Sequence, residues 1–196
     1  MKSSCTPTLI KAALAHVQFE SIHPFLDGNG RIGRLLVTLL LCAEGAMAEP
    51  LLYLSLYLKQ RRETYYDLLQ QVRETGDWES WLRFFLRGVQ ETAEQGAATT
   101  RALLQLFHED RERIEGLGRS ASSALRVFSQ FQLTPILSVT QIAERLQLSV
   151  PTVNTAVSNL AGLGIVQELT GRRRGRLFVY RRYLDILSEG TEPLPL

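Results

Sequence analysis

The chain of 196 residues is poor in the side chains that build covalent frameworks and metal sites: it has two cysteines, Cys5 and Cys42, and three histidines. Two cysteines cannot make a disulfide scaffold, and none of these residues stands at zinc-ligand spacing, so a reducing, cytoplasmic setting is the simplest reading. Long apolar runs are missing too. Residues 35–43 fall far short of the ~20 that a membrane helix requires, and residues 9–15, interrupted by Lys11, are too short for the apolar region of a secretory signal. Neither sign of charge dominates: 22 Lys and Arg against 20 Asp and Glu leave a net charge of +2 and no long single-sign block. Composition alone therefore argues for neither nucleic acid nor an anionic membrane as a partner. What remains is ordinary globular material, 45% hydrophobic and 21% charged, enough for two small domains.

Against that plain background, twelve consecutive residues concentrate most of the chemistry: His23-Pro24-Phe25-Leu26-Asp27-Gly28-Asn29-Gly30-Arg31-Ile32-Gly33-Arg34. Pro24 disfavours helical geometry at His23. From Arg31 onward, Ile32, Leu35, Leu36, Leu39, Leu40 and Ala43 have the spacing of a buried helix, which places the glycine loop at a helix N-terminus. Free backbone N–H groups and the positive end of the helix dipole meet there, a setting for phosphate. Gly28 and Gly30 allow a tight turn and close approach, while Arg31 and Arg34 can bring forked donors to one polyphosphate. Asp27 offers a hard oxygen to Mg²⁺, and His23 carries the one side chain of the set that changes charge near neutral pH. The spacing Gly28-x-Gly30-x-x-Gly33 also satisfies a dinucleotide fingerprint, but that reading needs a preceding strand. Residues 9–21 carry Ile10, Ala13, Leu14 and Val17 at helical spacing, so the context is helix, loop, helix.

The run fills every defined position of H-x-F-x-D/E-G-N-G-R-x-x-R and so resembles the signature of the Fic family. The resemblance implies a helical catalytic bundle that transfers AMP from ATP, with Mg²⁺, to a Ser, Thr or Tyr hydroxyl of a target protein. In that chemistry His23 is the general base, and Asp27 holds the metal. Gly28, Asn29, Gly30 and Arg31 meet the pyrophosphate, and Arg34 meets the γ-phosphate. Removal of AMP at the same site is also compatible. Tyr65-Tyr66 resembles the family's paired tyrosines beside adenine and ribose, although Tyr65 also lies on an apolar stripe and Tyr66 is the better candidate for the base. Some relatives have an asparagine seven residues after the pair where this chain has Arg73. The family's flap and inhibitory glutamate stand upstream of the signature, so the chain resembles the C-terminal part of such a protein. No hydroxyl residue precedes any acid–glycine pair here at the inhibitory spacing.

Beyond the signature, Tyr65, Leu68, Leu69 and Val72 share one helical face, which Gly76 ends, and Asp77 caps the next helix. Trp78, Trp81, Leu82, Phe85 and Val89 form a core stripe. A polar helix is predicted from about Glu91 to Arg113, with residues 109–113 as a solvated face, and another over residues 120–131. The boundary between a partial catalytic domain with its connecting helices, 1–132, and a second domain, 133–196, falls near Leu133. In the second domain, helices at 139–146 and 150–163, an apolar segment at 164–169, a turn at 170–175 and residues 176–180 resemble a winged helix domain with a two-stranded wing. The fold class is thus mainly α. Arg172, Arg173, Arg174 and Arg176 on the wing suit phosphate, and Thr152, Asn154, Thr155, Ser158 and Asn159 on the second helix suit bases, yet that helix carries no Lys or Arg. The competing expectation is an idle catalytic remnant that regulates by binding DNA or a protein through the winged domain. A homo-oligomer fits either reading.

Overall fold

The computed structural model describes residues 6–48, 53–171 and 175–189. The expectations that fall on Cys5 and on Arg172, Arg173 and Arg174 lie outside the described residues. The chain forms two compact units, Met1–Ala97 and Ala98–Pro195.

The first unit contains α1 (Thr8–Ile22), α2 (Asn29–Ala43), α3 (Leu54–Gln60), α4 (Arg62–Thr75) and the first half of α5 (Trp78–Glu115). Its core gathers Ala12, Ala13 and Val17 of α1, Val37 and Leu41 of α2, Tyr57 and Leu58 of α3, Tyr65, Leu69 and Val72 of α4, and Trp81 and Phe85 of α5. Helix α1 packs against α2 through Gly33, where an added Cβ would lie 2.5 Å from Glu20 Oε1 and 3.1 Å from Phe19 Cδ1. A methyl there would have to displace the Glu20 carboxylate and crowd the Phe19 ring.

The buried face of α2 is therefore Asn29, Gly33, Val37 and Leu41, spaced by four. This corrects the expectation of a helix buried along Ile32, Leu35 and Leu39, which are all exposed. An apolar helix offers more than one face at helical spacing, and periodicity does not say which face the small glycine brings to a neighbour. Gly76, in the left-handed conformation at φ 72°, ends α4, and its N–H donates to Val72 O at 3.2 Å. Asp77 Oδ1 accepts from Ser80 N–H at 3.1 Å, as a capping aspartate should. The aromatic stripe is buried at Trp81 and Phe85, whereas Trp78, in the first turn, is exposed. The aromatic and polar helices expected on either side of Glu91 are one continuous helix of 38 residues.

The second unit holds the rest of α5, a short 3₁₀ turn at Gly118–Ser120, α6 (Ala121–Leu133), β1 (Ile136–Ser138), α7 (Val139–Leu146), α8 (Val150–Gly162), β2 (Gln167–Glu168), β3 (Leu177–Val179) and α9 (Arg181–Ser188). The strands form an antiparallel sheet in the order β1-β3-β2, with Leu137 opposite Phe178 and Gln167 opposite Val179. The expected two-stranded wing is thus joined by a third strand. Helix α7 opens with reciprocal bonds between Ser138 and Gln141, and Ser149 caps α8, so the helix–turn–helix is defined at both helix starts.

The packing divides at Ala97–Ala98 rather than at 132–133, because Leu106, Ile114, Val127, Phe128 and Phe131 share a core with α7, α8 and β3. Asp110, expected on a solvated face, is fully buried. Its Oδ2 accepts from the Tyr180 hydroxyl at 2.7 Å and its Oδ1 from Arg113 Nη1 at 2.7 Å. The charge run reads as surface in sequence, but one of its residues shares the face of Leu106 and Ile114, and there a carboxylate needs such partners.

Candidate active site

Helix α1 ends at His23, which adopts the left-handed conformation at φ 50° and donates its backbone N–H to Phe19 O at 3.0 Å. The side chain of His23 is exposed. It lines a cavity of about 410 Å³ with Tyr66, Asp67, Gln70 and Arg73 of α4, together with Glu20 and Leu69. Small-molecule sites span roughly 300–1,000 Å³, so the cavity has room for part of a nucleotide.

The glycine loop is built by Asn29. Its Oδ1 accepts from Phe25 N–H at 2.9 Å, and its Nδ2 donates to Phe25 O at 2.6 Å, closing five residues into a turn. Asn29 is buried, so its side chain braces the loop and does not face outward. Phe25 is half exposed, and its backbone is what Asn29 grips.

Gly28, at φ 82°, is the N-cap of α2, and no side chain caps that helix among the described residues. The first intrahelical bond is Ile32 N–H to Gly28 O at 3.1 Å, so the N–H groups of Asn29, Gly30 and Arg31 precede it. Both arginines fold back toward the glycines. A Cβ on Gly28 would meet Arg31 Nη2 at 3.4 Å, and one on Gly30 would meet Arg34 Nη1 at 3.2 Å. Two guanidiniums and the uncapped N-terminus of a helix with 15 residues thus converge on one bend. Asp27 stands beside them with its side chain 96% exposed, 3.7 Å from Arg31 Nη2.

The tyrosine pair is divided. Tyr66 is 51% exposed and lines the cavity, with the Arg62 guanidinium 5.6 Å from its ring centre. Tyr65 is 3% exposed, and its hydroxyl donates to His16 Nε2 at 2.9 Å, so it belongs to the core and not to the cavity wall. Burial, with the Glu20 carboxylate adding to it, pushes the Tyr65 phenol well above its ordinary range.

Sequence reasoning overlooked His16. It is fully buried, stacks on Trp81 with ring centres 5.8 Å apart, and places Nδ1 3.0 Å from Gly33 O. A carbonyl only accepts, so Nδ1 carries the proton and Nε2 receives the Tyr65 hydroxyl. Burial lowers the His16 pKa from its ordinary value, which keeps the ring neutral. The available signal was the buried stripe Ala12, Ala13, His16, Val17, Glu20, in which two polar residues sit four apart. Among the described residues, Glu20 Oε1 is buried with no hydrogen-bond partner. Arg73 and Gln70 were not singled out as wall residues either.

The comparisons with known proteins bear on this same segment. Residues 3–41 match the Fic/DOC family. The segment that carries the signature is thus similar to the Fic/DOC family. Among curated relatives, the protein adenylyltransferase Fic of Culex quinquefasciatus is 36% identical over 123 residues, covering 58% of this chain and 23% of that protein. The protein of the same name from Aedes aegypti is 41% identical over 83 residues, covering 42% of this chain and 15% of its own, and that from Nematostella vectensis is 36% identical over 98 residues, covering 50% and 21%. The chain spans less than a quarter of the length of these relatives. A Fic family protein of Desulfovibrio desulfuricans G20 aligns in structure with 91% of this chain and 51% of its own, at 20% identity and a TM-score of 0.49.

In the second unit, Arg176 Nη2 donates to Asn154 Oδ1 at 3.2 Å, and Arg176 also lies 3.7 Å from Glu168. Among the described residues no helix is long and apolar enough to cross a membrane.

Proposed function

We propose that the first unit is the catalytic element of a protein adenylyltransferase, which moves AMP from ATP to a Ser, Thr or Tyr hydroxyl of a target protein. The observation that carries the reading is the uncapped start of α2 with the guanidiniums of Arg31 and Arg34 folded against its glycines. Such a bend complements a polyphosphate. Tyr66, at the wall of the His23 cavity, offers a face on which a purine stacks.

In the reaction, the His23 imidazole takes the proton of the target hydroxyl. The hydroxyl oxygen bonds to the α-phosphorus as the bond to the pyrophosphate oxygen breaks in line. The N–H groups of Asn29, Gly30 and Arg31 and the Arg31 guanidinium hold the charge that grows on the departing pyrophosphate, and Arg34 takes the γ-phosphate. Asp27 would hold Mg²⁺. Among the described residues no three acidic, His or Cys side chains gather into a metal site, which suits an ion that takes one carboxylate and receives its other ligands from phosphate and water. When bound, the ion supplies positive charge to the phosphates.

The test is incubation with α-labelled ATP and Mg²⁺. Label should reach protein with the wild-type chain and be abolished in His23→Ala. Absence of both labelling and nucleotide binding, with a shifted DNA band, would instead favour a regulator acting through the second unit. Arg34→Ala should weaken ATP binding more than AMP binding; equal loss for both would remove its γ-phosphate role.

A further inference from the structure

We infer that Arg73 is a positioning residue for His23, an inference that rests on the proposed adenylyl transfer. The need for it arises at Pro24. In a helix the carbonyl of residue i is served by the N–H of residue i+4, and for Glu20 that residue is a proline, which has none. The carbonyl of Glu20 stands in the last turn of α1, where helix carbonyls run out of intrahelical donors and Pro24 offers it none, three residues before the imidazole.

Arg73 of α4 fills the gap. Its Nη2 donates to Glu20 O at 3.0 Å, and its Nε reaches Ser21 Oγ at 3.4 Å. Two donors of one planar group therefore grip consecutive residues of the turn from which His23 leaves. The turn needs such a grip, because His23 is not glycine and yet sits at φ 50°, a conformation that the surrounding structure must impose. Its own N–H to Phe19 O supplies one restraint, and Arg73 supplies the other from a neighbouring helix. Arg73 and His23 then face the same cavity, so the strap ends where the base must be aimed. Arg73 acts through the main chain of α1 and not on the nucleotide.

The experiment compares wild type, Arg73→Met and Arg73→Lys for ATP affinity and for turnover in transfer from α-labelled ATP. Arg73→Met should lower turnover roughly ten- to a hundredfold while ATP affinity stays within about twofold, as a misaimed base would. Arg73→Lys should recover part of the rate, since one ammonium can serve the Glu20 carbonyl, and millimolar methylguanidine should recover part of it in Arg73→Met. Wild-type turnover in Arg73→Met overturns the inference, and so does a fall in ATP affinity that accounts for the whole loss, which would make Arg73 a nucleotide ligand.

Should the wild-type chain itself transfer no AMP, the functional reading fails by itself, and amide exchange still tests the strap. The His23 N–H should exchange roughly tenfold faster in Arg73→Met but not in Arg83→Met, which removes only a surface pair with Glu79. Equal exchange in both variants overturns the inference.

Discussion

Lowering the pH from 7.5 to 5.5 should destabilise the first unit through one residue, His16. Its ring is fully buried, with Nδ1–H donating to Gly33 O and Nε2 accepting from the Tyr65 hydroxyl, so a second proton would reverse the Tyr65 bond and place a charge in the core. Burial lowers the native pKa below the ordinary 6.5, while the unfolded chain titrates at that ordinary value. Below pH 6.5 the unfolded state therefore binds a proton that the native state refuses. The stability contributed by the neutral ring is complete above the unfolded pKa and is lost as pH falls toward the native one. One pH unit below that ordinary value the loss can reach at most about 1.4 kcal/mol, the full cost of a proton that only the unfolded chain binds.

Both tryptophans, Trp78 and Trp81, lie in the first unit, and Trp81 stacks on His16. Urea unfolding followed by tryptophan fluorescence thus reports that unit alone. Wild type should lose more stability between pH 7.5 and 5.5 than His16→Gln, by at most about 1.4 kcal/mol, because the Gln amide keeps a donor and an acceptor without titrating. Equal losses in the two proteins would refute the buried neutral ring. The depressed carboxyls of Glu44 and Asp77 do not confuse the comparison, since their contribution is present above their unfolded pKa and is lost only at more acid pH, equally in both proteins.

Gly33→Ala should destabilise the first unit by a net ~1 kcal/mol, the crowding of α1 outweighing the gain in helix propensity, and Gly33→Val by more; urea midpoints check this, and a stabilised Gly33→Ala would contradict the close approach of α1 and α2. In the second unit, Asp110→Ala should cost ~2–4 kcal/mol, because it leaves the buried Tyr180 hydroxyl unpaired and breaks the Arg113 bond. Adding Tyr180→Phe should recover part of that cost in far-UV ellipticity melts, whereas strict additivity would mean that the two groups do not support each other.

Where local rules decide structure, the sequence was readable. Gly76 ends α4 and Asp77 starts α5, because a left-handed residue and a short side-chain acceptor each solve a problem set by adjacent residues. The helix–turn–helix of the second unit was legible for the same reason, as its pattern of apolar spacing and turns is local. The buried face of α2 was not. Leu35 and Leu39 are as apolar as Val37 and Leu41, and only the close approach at Gly33 selects between the two faces. Asp110 was misread for a related reason: the charges on either side of it are on the surface, while its own partner, Tyr180, lies 70 residues away. His16 and Arg73 were hidden because their partners, Tyr65 and Glu20, are separated from them by 49 and 53 residues.

Within the signature itself, the residues divide by what they touch. Asn29 and Gly33 spend themselves inward, one clasping Phe25 and the other admitting α1, and neither has a side chain to offer a ligand. His23, Asp27 and Arg31 are exposed. Pro24 belongs to both groups: it turns the chain out of α1 and, lacking an N–H, leaves the Glu20 carbonyl for Arg73 to meet from outside the motif. A contiguous run can therefore name the chemical groups of the site, but their aim depends on α4. That is the physical reason to look for loss of function at positions such as Arg73, where no reading of residues 23–34 alone would place it.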